Sequence, residues 1–138
     1  MSIDLGMVRT GLAICDKFEM LASPLEVIEE KNRKKLAQYI NQKIVINKCD
    51  MIVLGLPKNM DGSEGESAIR AREFSDILKE FTSIPIVMWD ERRTTISAQN
   101  YLNITDTRGK KRKKIIDSVA ATIILQDYLD FRKHKSNF

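Results

Sequence analysis

With 138 residues, 43% of them apolar and 30% charged, the chain has the length of one domain and enough apolar content for a core, which excludes a disordered chain. No apolar run approaches the ~20 residues that cross a bilayer, and Met1-Ser2-Ile3-Asp4 lacks the basic-then-apolar layout of a secretion signal, so the expectation is a cytoplasmic protein without a membrane partner. A net charge of +4 and a pI near 9.1 lean only mildly toward an anionic partner.

Residues 1–5 and 10–15 read as short strands, joined through Gly6-Met7-Val8-Arg9 as an antiparallel hairpin. Ser23-Pro24 closes a loop, and residues 25–28 read as a third strand. Leu36, Ala37, Ile40 and Ile44, spaced by three and four, predict a helix over 33–47. Met51-Ile52-Val53-Leu54-Gly55-Leu56 is an unbroken apolar run, the mark of a strand buried on both faces. The loop over 57–65 is rich in turn formers, and Ser63 or Ser67 is placed to cap the next helix. That helix sets Ala71, Phe74, Ile77, Leu78 and Phe81 on one stripe. Pro85-Ile86-Val87-Met88-Trp89 reads as a second buried strand ending in Asp90-Glu91, with Trp89 and Phe74 as core. A helix is predicted over 94–102, then a basic loop, then a long helix over about 114–132. The order describes one domain over residues 1–138: an α/β sandwich with one mixed five-stranded sheet and helices on both faces.

Cys15 and Cys49 sit in or beside apolar runs without a CxxC spacing, which reads as reduced, buried thiols. The single histidine, His134, lies in a polar tail, so hydrolytic chemistry would have to run on carboxylates. Three acidic positions stand where burial is costly. Asp4 lies inside the first strand, Asp90 and Glu91 close the last one, and Asp117 precedes Ala120, Ala121 and Ile124 on a stripe facing the sheet. A carboxylate so placed needs a partner, a proton or a cation. Oxygen ligands of this kind suit Mg²⁺ or Mn²⁺. Each acid also has a structural reading: Asp4 capping the hairpin turn, Asp90-Glu91-Arg92-Arg93 as a solvated run capping the next helix, and Asp117 as a first-turn acid favoured by the helix dipole. All three readings holding at once would be the greater coincidence.

The motifs resemble those of a known family. Asp4-Leu5-Gly6 with Arg9 and Gly11 matches the DxGxxRxG pattern of the YqgF/RuvX family of Holliday junction resolvase-like proteins. Gly55-Leu56-Pro57 with Asp61-Gly62-Ser63 and Gly65 looks like its GLP–DGS–G segment. Asp90-Glu91-Arg92-Arg93-Thr94-Thr95 resembles its DERxTT element, and Asp117-Ser118-Val119-Ala120-Ala121 is similar to its closing helix. These four blocks occur in order over nearly the whole chain.

The resemblance implies a ribonuclease H-like fold and a metal-dependent nuclease that processes the 5′ end of precursor 16S rRNA, or resolves branched DNA at Holliday junctions. It makes Asp4, Glu91 and Asp117 the metal-binding and catalytic acids. Asp90 is the alternative to Glu91, because a shift of one residue changes which side chain faces the site. Two departures stand out. Met7-Val8 replaces the small polar and basic residues of many members, and Leu54-Gly55-Leu56-Pro57 carries no acid where junction resolvases of this fold have one.

Substrate contacts are expected from Arg9, Arg92 and Arg93 beside the acids and from the basic run Arg108, Lys110, Lys111 and Arg112, which would follow a phosphate backbone. The glycines of the 57–65 loop would let backbone amides approach a phosphate. No aromatic residue is interleaved with the basic run, so base stacking is not expected there. The expected partner is nucleic acid, structured rRNA precursor or branched DNA, bound by a monomer or weak homodimer. Two other classes fit part of the pattern. A non-catalytic RNA- or ribosome-binding module would use the basic run alone, and an actin- or sugar-kinase-like ATPase would use the DxG turn but needs a second lobe that this length does not hold.

Overall fold

In a computed structural model, which describes residues 1–93 and 109–136 and the side chains of residues 1–92 and 119–133, the chain begins with the expected hairpin. β1 (Ser2–Asp4) and β2 (Arg9–Cys15) pair antiparallel, with Asp4 opposite Gly11. Their reversal depends on Gly6, because a Cβ there would collide with the carbonyl oxygen of Arg9. Arg33 braces the turn, donating from Nη1 to the Gly6 carbonyl at 3.0 Å.

β3 (Ala22–Glu29) adds to β2 antiparallel and begins earlier than expected, taking in Ser23 and Pro24. Proline is accommodated because β3 is the outer strand and the β2–β3 register shifts between Leu12 and Ala13, opposite Pro24. α1 (Arg33–Ile46) starts at Asn32, whose side chain accepts from the Lys35 amide at 3.0 Å. It stops where Lys48 turns left-handed (φ 54°) and the Cys49 amide bonds back to the Ile44 carbonyl.

β4 (Ile52–Leu56) lies parallel between β1 and β5 (Ile86–Asp90), giving a five-stranded mixed sheet in the order β3-β2-β1-β4-β5. Every residue of β4 is buried, as its apolar run predicts. β5 is only half-buried, since it forms the other edge of the sheet and pairs on one side alone among the described residues.

α2 (Glu66–Lys79) is preceded at its N-cap by Gly65 with no side-chain cap. Neither serine takes that place: Ser63 donates to Asp61, and Ser67 accepts from Arg70. α3 (Gly109–Ser136) is longer than expected and absorbs most of the basic run, which is therefore helical from Gly109 onward and not a loop. Lysine and arginine are good helix formers, and no glycine or proline follows Gly109 to interrupt them. The helix predicted over 94–102 lies outside the described residues.

Strand alternation divides the core. Ile3, Leu12, Ile52 and Leu54 meet Leu36, Ala37, Ile40, Phe74 and Leu78 on the α1/α2 face. Ala13 and Val53 meet Ala121, Ile124, Leu125 and Tyr128 on the α3 face. Each fully buried large side chain of this kind contributes about 1.5–3 kcal/mol. Ser2, buried on the α3 face, donates from Oγ to the Ala121 carbonyl at 2.6 Å and ties the long helix to the central strands. Both cysteines are free but only half-buried, and burial raises the Cys15 thiol. Among the described residues, no helix is long and apolar enough to cross a membrane.

One buried polar group is out of keeping with this packing. Thr10 is fully buried and its hydroxyl oxygen has no hydrogen-bond partner among the described residues. Thr10→Val keeps the shape and removes the unmet group, so it should stabilise the fold by up to about 1 kcal/mol. Urea unfolding checks this; a clear loss of stability would mean that the hydroxyl does bond in solution.

Candidate functional site

The alternation that divides the core also sorts the acids. On β5, Ile86 and Met88 pack toward α1 and α2, whereas Val87 and Trp89 pack toward α3. Glu91, the first residue after β5, lies against the Gly55 position and Ile124 on that second face, while Asp90 turns to Arg92. On β1, Ile3 faces α1 and α2, so Ser2 and Asp4 share the α3 face with Glu91. Asp4 and Glu91 therefore meet across β4, at the carboxyl ends of the parallel strands β1 and β5 that flank it, where open α/β sheets hold their ligands.

The two carboxyls are hydrogen-bonded to one another. Glu91 is pushed up to about 9, first by burial, then by the negative charge of Asp4, by the hydrogen bond to Asp4 and by the charge of Asp90. Without a counter-charge, Glu91 keeps its proton and donates it toward Asp4.

Asp90 is elsewhere. Its carboxylate accepts from Arg92 Nε at 2.8 Å, pairs with Arg92 Nη2 at 2.6 Å, and accepts from the Arg92 amide at 3.0 Å. The Arg92 hydrogen bond holds it below the usual carboxylate range. Asp90 thus serves the short 3₁₀ turn Glu91–Arg93 that follows β5; the helix that the charge run was expected to cap lies outside the described residues.

Between Asp4 and Glu91 lies a residue that the motif reading left inside a buried strand. Gly55 is on β4, on the α3 face with Val53, and a Cβ there would collide with Glu91 Oε1 and stand 2.9 Å from Ile124 Cδ1. The missing side chain is the space that admits the Glu91 carboxyl. Its signal was available: glycine within an otherwise apolar strand marks a close approach. Gly55→Ala is expected to cost about 1–3 kcal/mol through overpacking and to drive Glu91 away from Asp4. Unfolding curves, with NMR titration of Glu91, would show both; an unchanged Glu91 titration would mean that the carboxyl is not seated there.

The third acid of the sequence reading, Asp117, has a side chain outside the described residues. Its helix, however, runs antiparallel to β4: Tyr128 donates to the Met51 sulfur before the strand, and Ile124 reaches Gly55 near its end. The N-terminal turns of α3 thus extend toward the end of the sheet that carries Asp4 and Glu91. Among the described residues, no three His, Cys, Asp or Glu side chains cluster as a metal site. The acids that do meet offer hard oxygen donors, the set that suits Mg²⁺ or Mn²⁺. Their mutual repulsion would be relieved by a cation.

The basic residues divide as well. Arg9 is half-buried on β2, two positions from Gly11 and so on the face of Asp4. Arg92 is committed to Asp90 and also donates to the Met60 carbonyl at 3.4 Å. The Arg93, Lys110, Lys111 and Arg112 side chains, and all of Arg108, lie outside the described residues.

The loop over 57–65 departs from expectation. The Asn59 amide bonds the Ser63 carbonyl, the Gly62 amide bonds the Asn59 carbonyl, and the Ser63 amide bonds Asp61. Those three amides serve the loop itself and are not directed at a phosphate. Trp89, read as core, is half-buried: its ring meets Tyr128 edge-on at 5.6 Å and Phe131 at 5.4 Å.

The chain is similar to known proteins over nearly its whole length. The model of the RuvX family, described as a Holliday junction resolvase, matches residues 1–131. A protein of Thermoanaerobacter pseudethanolicus named "Putative pre-16S rRNA nuclease" is 43% identical over 98% of this chain and 98% of its own. A protein of the same name from Halothermothrix orenii is 42% identical over 96% of this chain and 94% of its own. Among solved structures, T. thermophilus RuvC in complex with Holliday junction substrate superposes with a TM-score of 0.60, covering 96% of this chain and 93% of that one at 11% identity. That likeness is one of fold, and the fold is ribonuclease H-like. The motif order and the full-length matches lead to one assignment: the chain belongs to the RuvX family.

Proposed function

We propose that this chain is a cytoplasmic, divalent-cation-dependent nuclease that hydrolyses phosphodiester bonds in the 5′-end processing of precursor 16S rRNA. The observation that carries the reading is the Asp4–Glu91 pair, two carboxyls in hydrogen-bond contact at the ends of the parallel strands that flank β4, with Glu91 pushed up to about 9. Such an arrangement is costly in a protein that only binds RNA, and it becomes useful when positive charge enters between the acids. The names of the full-length relatives support rRNA as substrate over branched DNA.

Asp4, Glu91 and Asp117 would hold Mg²⁺ or Mn²⁺. The cation would supply Lewis-acid stabilisation of the phosphate and a more acidic water. The chain's own residues do the rest. Gly55 seats Glu91 in its slot, and the hairpin held by Gly6 and Arg33 fixes Asp4. Arg9, on the Asp4 face, is placed to neutralise a substrate phosphate, and the basic first turns of α3 extend the attraction along the backbone. Asp90 stays outside the set, bound to Arg92.

Purified protein with Mg²⁺ or Mn²⁺ should shorten an RNA that carries the precursor 5′ extension of 16S rRNA, and chelation should stop it. Cutting of a four-way DNA junction in preference to that RNA would favour the resolvase reading. Binding of the RNA without any cation-dependent cleavage would leave only a binding module.

A further inference from the structure

Beside the carboxyl pair, the sheet edge holds a groove of about 550 Å³ lined by Met60, Trp89, Asp90, Arg92 and Phe131. Its walls come from the loop after β4, the end of β5 and the C-terminal half of α3. Met60 is 86% exposed and Phe131 51%, so large apolar surfaces adjoin the half-buried Trp89 ring. The polar part of the lining is held in place: Arg92 and Asp90 grip one another, and Arg92 is held a second time by the Met60 carbonyl. An aromatic floor next to a locked guanidinium and carboxylate offers one surface for stacking and one for hydrogen bonds.

We infer that this groove takes a single unpaired nucleobase, that of a nucleotide adjoining the phosphodiester bond presented to Asp4 and Glu91. The inference rests on the nuclease reading for its cutting position. Asp90 belongs to the groove and Glu91, the next residue, to the carboxyl pair, with Cα atoms only ~3.8 Å apart. Groove and acids thus address neighbouring parts of one strand. A base matches both surfaces, since its face stacks on aromatic rings and its edge offers donors and acceptors to Arg and Asp. A bare phosphate matches neither, because the floor is apolar and Arg92 is already neutralised by Asp90. A base held in a duplex cannot enter, so the nucleotide next to the cut is single-stranded or turned out of its stack. Stacking of this kind tolerates any base, so the groove selects first for an unpaired position.

Trp89 is the only tryptophan in the chain, so its fluorescence reports on this groove. A single-stranded RNA oligonucleotide and an abasic strand of equal length and charge would be titrated in the presence of chelator. The base-bearing strand should quench Trp89 and the abasic strand should not. Met60→Ala and Phe131→Ala should each weaken binding of the base-bearing strand by about five- to a hundred-fold, with little effect on the abasic strand. Equal quenching by both strands, or base-bearing binding unchanged in both variants, would overturn the assignment. The two readings fail separately. Base-dependent quenching in a protein that cuts no RNA or DNA keeps the groove and removes the nuclease. Cation-dependent cutting without base-dependent quenching does the reverse.

Discussion

Replacing Asp4 by Asn is expected to lower cation-dependent cleavage of precursor rRNA by about a hundred-fold or more, while RNA binding in chelator changes only a few-fold. Asn has the shape of Asp and still offers a hydrogen bond to Glu91, so the hairpin and the Gly55 slot keep their form. What disappears is one of the three negative charges that would hold a cation. The same change should relieve the fold, because the Asp4 charge is the second largest cause of the raised Glu91. A variant that is inactive, folded and at least as stable as the parent is thus the expected result. Gel-resolved cleavage, a binding titration and a melting curve on the same preparation check it. Cleavage within a few-fold of the parent would remove the Asp4–Glu91 pair as the hydrolytic centre.

The architecture was readable because its signals are periodic. The helical spacing of Leu36, Ala37, Ile40 and Ile44 and the apolar run of β4 each follow from burial on a defined face, and both recur in the structure. The choice between Asp90 and Glu91 was not readable, since it depends on which face of β5 meets α3. That orientation is set by tertiary packing, with Trp89 turned to one side and Met88 to the other. Pro24 misled for a related reason: proline excludes a residue from a central strand, but no sequence signal marks β3 as the outer one. The loop over 57–65 looked like a phosphate cradle by composition. Its geometry depends on Asp61 and Ser63 closing the turn on themselves, and Gly62 supplies the positive φ that this requires. Gly55 was legible in principle, for no other residue leaves room for a carboxyl inside a buried strand.

The remaining large effect concerns pH. In the unfolded chain Glu91 ionises at its ordinary value of 4.5, whereas in the cation-free folded protein it keeps its proton up to about 9. Between those two values the folded state binds more protons than the unfolded state, so stability must fall as pH rises. The group's full contribution is present below pH 4.5 and is lost progressively up to pH 9. By pH 7 the loss amounts to about 3 kcal/mol, a large fraction of a small domain's stability. Glu91→Gln cannot ionise, so its unfolding free energy in chelator should lack this fall, and the variant should overtake the parent as pH rises above about 5. Added Mg²⁺ or Mn²⁺ should restore the parent at pH 8 and do much less for the variant, because stabilisation by binding requires a ligand site that the amide weakens. Urea unfolding from pH 5 to 9, with and without cation, separates the cases. Parallel curves for parent and variant would mean that Glu91 is solvated in solution and that its carboxyl does not share a site with Asp4.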